Sequence, residues 1–182
     1  MVEIRINTAA PEEVPTPLLA VGVRAGASPP GRLAEVAAPA ISGGDFSGRE
    51  GETALLYAGG AIAAQRLLLV GLGEDGPPSP EALRKAAAAA ARRARSSGAR
   101  EAALVVEGGG EEVRAAAEGA LLGLYRFSRY KSNREAGDAL EKLELLVDGA
   151  REEEARGGAR VGRAAAAAAA LARDLANEPS NT

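Results

Sequence analysis

Gly71-Leu72-Gly73-Glu74-Asp75-Gly76 has the spacing by which dinucleotide-binding loops bring backbone amides against a pyrophosphate. Such a loop opens directly into a helix, whose first amides and dipole hold the phosphates. Here Pro77 and Pro78 intervene, and the next helix starts only near Ser79. Glu74 and Asp75 place two carboxylates where phosphates would sit. No carboxylate ends a following strand at the usual distance of about 20 residues. The stretch therefore reads as a turn leaving a buried strand.

Three other clusters invite chemistry. Gly108-Gly109-Gly110 could form an amide nest for an anion. Glu107, Glu111 and Glu112 surround it with like charge, so it reads as a strand–helix turn. Glu152-Glu153-Glu154 could collect a hard cation. It also opens a helix, where acids complement the dipole, and reads as a solvated helix start. Tyr125-Arg126-Phe127-Ser128-Arg129-Tyr130-Lys131 mixes aromatic and basic residues, a device for stacking bases. Tyr125 and Phe127 cannot share one helix face; one joins the core and the other packs at a helix end.

The 182 residues include no histidine and no cysteine. That removes the commonest general base, the commonest zinc ligand and all thiol chemistry. Of the lysines, Lys85, Lys131 and Lys142, none lies in a Ser-x-x-Lys pattern. No catalytic, cofactor-binding or metal residue is assigned to this chain. A net charge of −3 and a pI near 5.3 argue against a general binder of nucleic acid or anionic membrane. The N-terminus lacks the regions of a signal peptide, and Ala164–Leu171 is too short to span a bilayer. The protein is expected to be soluble and cytoplasmic. Arginine far outnumbers lysine, as in a thermophile or a GC-rich genome.

The elements that position these residues follow from pattern. Period-two alternation predicts a strand over Val2–Ile6, and apolar runs predict others over Leu18–Val23, Thr53–Tyr57, Glu101–Val106 and Lys142–Val147. Arg66–Val70 is a continuous apolar run suited to a central strand. The stretch from Ala25 to Gly51 should be largely loop, with a short helix at Arg32–Ala37. Ser79-Pro80-Glu81 starts a helix that runs to about Ser97, with an apolar stripe through Leu83, Ala86 or Ala87, Ala90 and Ala94. A second helix is expected over Glu111–Tyr130. A third runs from Glu152, weakened at Gly157-Gly158 and firm from Arg160 to Ala176. Pro179 should end it near Asn177. The order predicts an α/β domain of three layers, a mostly parallel or mixed sheet flanked by helices.

Several segments, in order, resemble the N-terminal domain of the leucyl (cytosol) aminopeptidase family. They are Gly43–Gly51, with its Gly-Asp-Phe-x-Gly-x-x-Gly pattern; Arg66–Gly73; Glu118–Phe127, with Glu-Gly-x-x-Leu-x-x-Tyr-x-Phe; and Arg173-Asp174-Leu175 with Asn177-Glu178-Pro179-Ser180-Asn181. The resemblance implies a macro-domain-like fold. It implies a parent enzyme that releases N-terminal residues from peptides with two divalent metals, Zn or Mn, held in a C-terminal catalytic domain missing here. It also implies hexameric assembly. On this reading residues 1–160 form an accessory domain, and residues 161–182 form a connecting helix and a hinge made of Asn177, Glu178, Pro179 and Asn181. The Ala164–Ala170 run is then a stiff connector, or an alanine run that the helix merely tolerates. The alternatives are a macro-like module for a nucleotide or ADP-ribose, and a DNA-binding accessory domain. Expected partners are the chain's own catalytic domain, further copies of itself and, for the parent, peptide substrates; no membrane or nucleic acid is expected.

Overall fold

The computed structural model describes residues 2–74, 76–127 and 140–178. Six strands form one sheet: β1 (Glu3–Asn7), β2 (Leu19–Val23), β3 (Thr53–Tyr57), β4 (Arg66–Gly71), β5 (Glu101–Val105) and β6 (Lys142–Leu146). Their order is β1-β6-β5-β2-β4-β3. All neighbours are parallel except β3, which runs antiparallel to β4. Each strand lies within about a residue of its predicted span, since short apolar runs between Gly, Pro and charged residues leave little freedom of register.

Alternation along the inner strands divides the core in two. Leu68 and Val70 of β4, with Leu18 and Ala20, pack against α2 (Pro80–Ser96), α3 (Gly110–Leu124) and α4 (Glu152–Asn177). Leu67, Leu69, Leu19 and Val21 pack with α1 (Arg32–Ser42) and Phe46 on the opposite face. The predicted three-layer mixed α/β architecture is what forms. With so few aromatics, the helix side of the larger core is mostly alanine, which lets α2, α3 and α4 approach the sheet closely.

The helices depart from expectation in three places. Helix α1 runs on to Ser42 rather than stopping at Ala37, because Ala37 and Ala40 are buried against the sheet while Pro39 faces outward. Helix α3 stops at Leu124, where Tyr125 turns into an extended conformation (φ −58°, ψ 131°); the remainder of its predicted span beyond Phe127 lies outside the described residues. Helix α4 is unbroken from Glu152 to Asn177, so the expected weakness at Gly157-Gly158 is corrected. A Cβ at Gly158 would collide with the Gly110 carbonyl oxygen, so the glycine is what allows α4 to touch the start of α3. The helix also crosses residue 160 without a break and buries Gly162 and Ala166 beyond it.

Candidate functional site

The sheet's carboxyl edge is where open α/β folds hold ligands, and here it is filled. Leu72 lies over Gly22 so closely that a Cβ there would stand 2.7 Å from its Cδ1. What remains is a crevice of about 30 Å³ lined by Gly22, Val70, Leu72, Leu83, Leu104 and Val106, among others. Small-molecule sites take roughly 300–1,000 Å³. The amides of Gly71, Leu72 and Gly73 donate to the carbonyls of Glu52, Val23 and Gly48 at 2.8, 2.9 and 3.0 Å. These three amides are engaged within the fold.

The loop that accepts those bonds is itself clasped. The Glu52 carboxylate accepts from the Ser47 amide at 3.0 Å, the Ser47 hydroxyl at 2.9 Å and the Arg49 amide at 3.1 Å. These bonds, the Ser47 amide foremost, hold the Glu52 carboxyl below its ordinary pKa. Gly48 (φ +82°) is forced: its backbone is left-handed, and a Cβ would strike the Arg24 carbonyl. Phe46 is fully buried beneath. The Gly-Asp-Phe and Gly-Leu-Gly segments thus meet to close this edge of the sheet.

The remaining clusters find internal partners. Glu112 turns back to accept from the Gly109 amide at 2.8 Å, occupying the amide an anion would need. Glu152 accepts from Arg156 at 2.6 Å, four residues along α4. Among the described residues, no three acidic, His or Cys side chains gather as metal ligands. A divalent ion of a peptidase therefore finds no fitting donor set in the described residues.

The end of α4 is where the interactions converge. The Tyr125 hydroxyl donates to Asp174 Oδ1 at 2.6 Å, and the Arg173 guanidinium stands 5.5 Å above the Tyr125 ring. The Asp174 hydrogen bond, with desolvation, raises the Tyr125 pKa. Asn177, last in α4, donates through Nδ2 to the Arg173 carbonyl at 2.7 Å. On the far side, Arg95 donates to the Leu124 carbonyl at 3.2 Å and steadies the end of α3. An apolar hollow of about 400 Å³ adjoins the clasp, lined by Leu121, Leu124, Tyr125, Leu140, Ala166 and Ala170 among others. Tyr125 is thus committed to α4, which leaves its ring a poor platform for bases.

Of the expected hinge residues, Asn177 closes α4 and Glu178 follows it in extended conformation (φ −73°, ψ 130°); Pro179 and Asn181 lie outside the described residues. Sequence reasoning noted Tyr125 and Asp174 separately but not their bond across 49 residues. The signal was present in the two motifs that carry them. Glycines of the first motif also have a role: a Cβ at Gly119 would strike the Arg84 carbonyl, and one at Gly123 would lie 2.7 Å from the Ala88 Cβ. Both let α3 lie directly on α2. Glu118 adds an ion pair to Arg84 at 3.1 Å.

Comparison with known proteins agrees with this arrangement. Residues 24–134 match the family model for the cytosol aminopeptidase family, N-terminal domain. A probable cytosol aminopeptidase of Roseiflexus castenholzii is 40% identical over 98% of this chain and 37% of its own length. One from Azotobacter vinelandii is 34% identical over 78% of this chain and 30% of its own. A mutant tomato leucine aminopeptidase superposes with a TM-score of 0.83 over 100% of this chain and 39% of its own, at 26% identity. The bottromycin maturation enzyme BotP, in complex with Mn, gives a TM-score of 0.67 at 31% identity over 90% of this chain and 32% of its own. The chain spans about a third of the length of these relatives. No helix among the described residues is long and apolar enough to cross a membrane. On sequence and fold together, the chain belongs to the cytosol aminopeptidase family and corresponds to its N-terminal domain.

Proposed function

We propose that this chain serves as the non-catalytic N-terminal domain of a cytoplasmic, metal-dependent leucyl aminopeptidase whose full form releases N-terminal amino acids from peptides. Its role is to supply assembly contacts and to shape access of peptides to a C-terminal catalytic domain. Residues 1–160 form the accessory body. Residues 161–182 carry the connecting helix and a hinge at Asn177, Glu178, Pro179 and Asn181. The two divalent metals, Zn or Mn, belong to the catalytic domain, where they supply an activated water and charge stabilisation. Homo-oligomeric assembly, as a hexamer, is part of this reading.

One observation carries it. The Roseiflexus relative matches nearly the whole of this chain, and well over half of that relative lies beyond the match. The chain itself has no histidine or cysteine and, among its described residues, no ligand cluster. A clasped helix end that leads into Asn177 and Glu178 suits a domain attached to something else. Hydrolysis of leucine amide with added Mn²⁺ or Zn²⁺ tests the reading. The 182-residue chain alone should show no turnover. Fusion through the hinge to the unmatched remainder of the Roseiflexus relative should restore it. Turnover by the chain alone overturns the proposal.

A further inference from the structure

Strand β1 leaves one edge of the sheet open. The Glu3 amide donates to the Glu141 carbonyl, and the Asn7 carbonyl accepts from the Val147 amide. Both bonds run toward β6, and Arg5 shares their parity. The backbone groups of Ile4 and Ile6 therefore point outward, where no strand among the described residues meets them. Such an edge is a template for a further strand.

The side chains beside it select which strand. Ile4 and Ile6 belong to the core on the side that α4 covers. With Ala159 they line a groove of about 450 Å³ together with Arg156, Arg160 and Arg163 of α4, all three exposed, and Arg5. Arg156 is bonded to Glu152 at 2.6 Å, and Arg5 to Glu3 at 2.8 Å. Glu141, which shares the neighbouring hollow with Arg163, pairs with Arg100. Glu153 stands a turn before Arg156, outside the lining. Arg160 and Arg163 make no ion pair among the described residues. Four residues of helix advance about 6 Å, close to the roughly 6.6 Å between alternate residues of a strand. Arg156 and Arg160 are so spaced, and Arg163 follows a turn later. Apart from the arginines the lining is aliphatic, with no aromatic ring on which a base could stack.

We infer that the outer edge of β1 and the arginine row of α4 form a docking site for an extended acidic peptide segment of another protein, which joins the sheet as an added strand. Its backbone bonds to Ile4 and Ile6, and its alternate carboxylates meet Arg160 and Arg163. The inference needs only β1 and α4, so it stands or falls apart from the peptidase reading.

Fluorescence anisotropy on the 182-residue chain tests it with a labelled peptide of alternating Glu and Val. The peptide should bind at low salt, and its counterpart with Lys for Glu should not. Arg160→Ala combined with Arg163→Ala should weaken binding about tenfold. Ile6→Pro should weaken it as well, because it removes an outward N–H that β6 does not use. Methylating alternate peptide amides should abolish binding for one of the two sets and spare it for the other. The inference is overturned if the Glu peptide fails to bind, if the Lys peptide binds equally, or if the arginine variant binds as the parent chain does. Equal binding of the two methylated peptides overturns it even where Ile6→Pro fails to fold. Tighter binding of a single-stranded oligonucleotide of equal charge also overturns it, since the groove is then a general anion site.

Discussion

Phe46 is one of only two phenylalanines in the chain, and it is wholly buried under the loop that closes the sheet edge. Little else there has its volume: its neighbours in that core are mostly Val, Leu and Ala. Phe46→Ala should cost about 3–5 kcal/mol, read from urea unfolding. Glu52 acts on the same loop through charge. Its folded pKa lies below the ordinary 4.5, so its contribution is complete above that pH and is lost as pH falls through the lowered value. Glu52→Gln should therefore weaken the protein at neutral pH, with the gap to the parent chain closing as urea titrations move into acid. Tyr125 has the opposite sign. Its pKa is raised above 10.0 by the bond to Asp174, so that contribution holds at neutral pH and fades as pH rises through the raised value. Tyr125→Phe should speed amide exchange in the last turns of α4 at pH 7 and make it less sensitive to strong alkali. None of these roles is legible from residue type alone, because each depends on a partner distant in sequence or on a backbone turn.

At the scale of elements, paired glycines separate local propensity from packing. A Cβ at Gly157 meets nothing nearer than the Arg160 side chain at 4.0 Å, whereas one at Gly158 meets the Gly110 backbone. Gly157→Ala should stabilise α4 by roughly 0.5–1 kcal/mol. Gly158→Ala should destabilise by about 1–3 kcal/mol, since α3 and α4 must part. Thermal melts of the two variants should move in opposite directions. The same pair explains where sequence reasoning faltered. Adjacent glycines signal a weak helix when only local cost is counted; here one of them is the contact. The strands were legible because burial on both faces leaves an unbroken apolar run, as in Arg66–Gly71. The start of α2 was legible because Ser79 and Pro80 act locally, and the Ser79 hydroxyl does accept from the Ala82 amide at 3.1 Å. The ends of α1 and α3 were not, because tertiary contacts of Ala40 and Tyr125 set them.

At the scale of the whole molecule, closure of the carboxyl edge bears on the nucleotide-binding reading. With Leu72 seated over Gly22 and a crevice of about 30 Å³, titration calorimetry with ADP-ribose should give no binding heat. The family was legible from four ordered motifs, and the structure gives a physical reason for their company: two fold onto each other at the loop, and two meet in the clasp. The distances between them in sequence hid those contacts. The strand order has one more consequence. Strand β1 sits at the outer edge and pairs only with β6, so Ile4 finds Leu143 across nearly the full length of the domain. At roughly 5–20 residues per second, a ribosome leaves the first strand unmatched for on the order of ten seconds while the middle of the sheet assembles. The edge of the ladder thus closes only once β6 has been made, and charged Glu3 and Arg5 alternate with apolar residues along it.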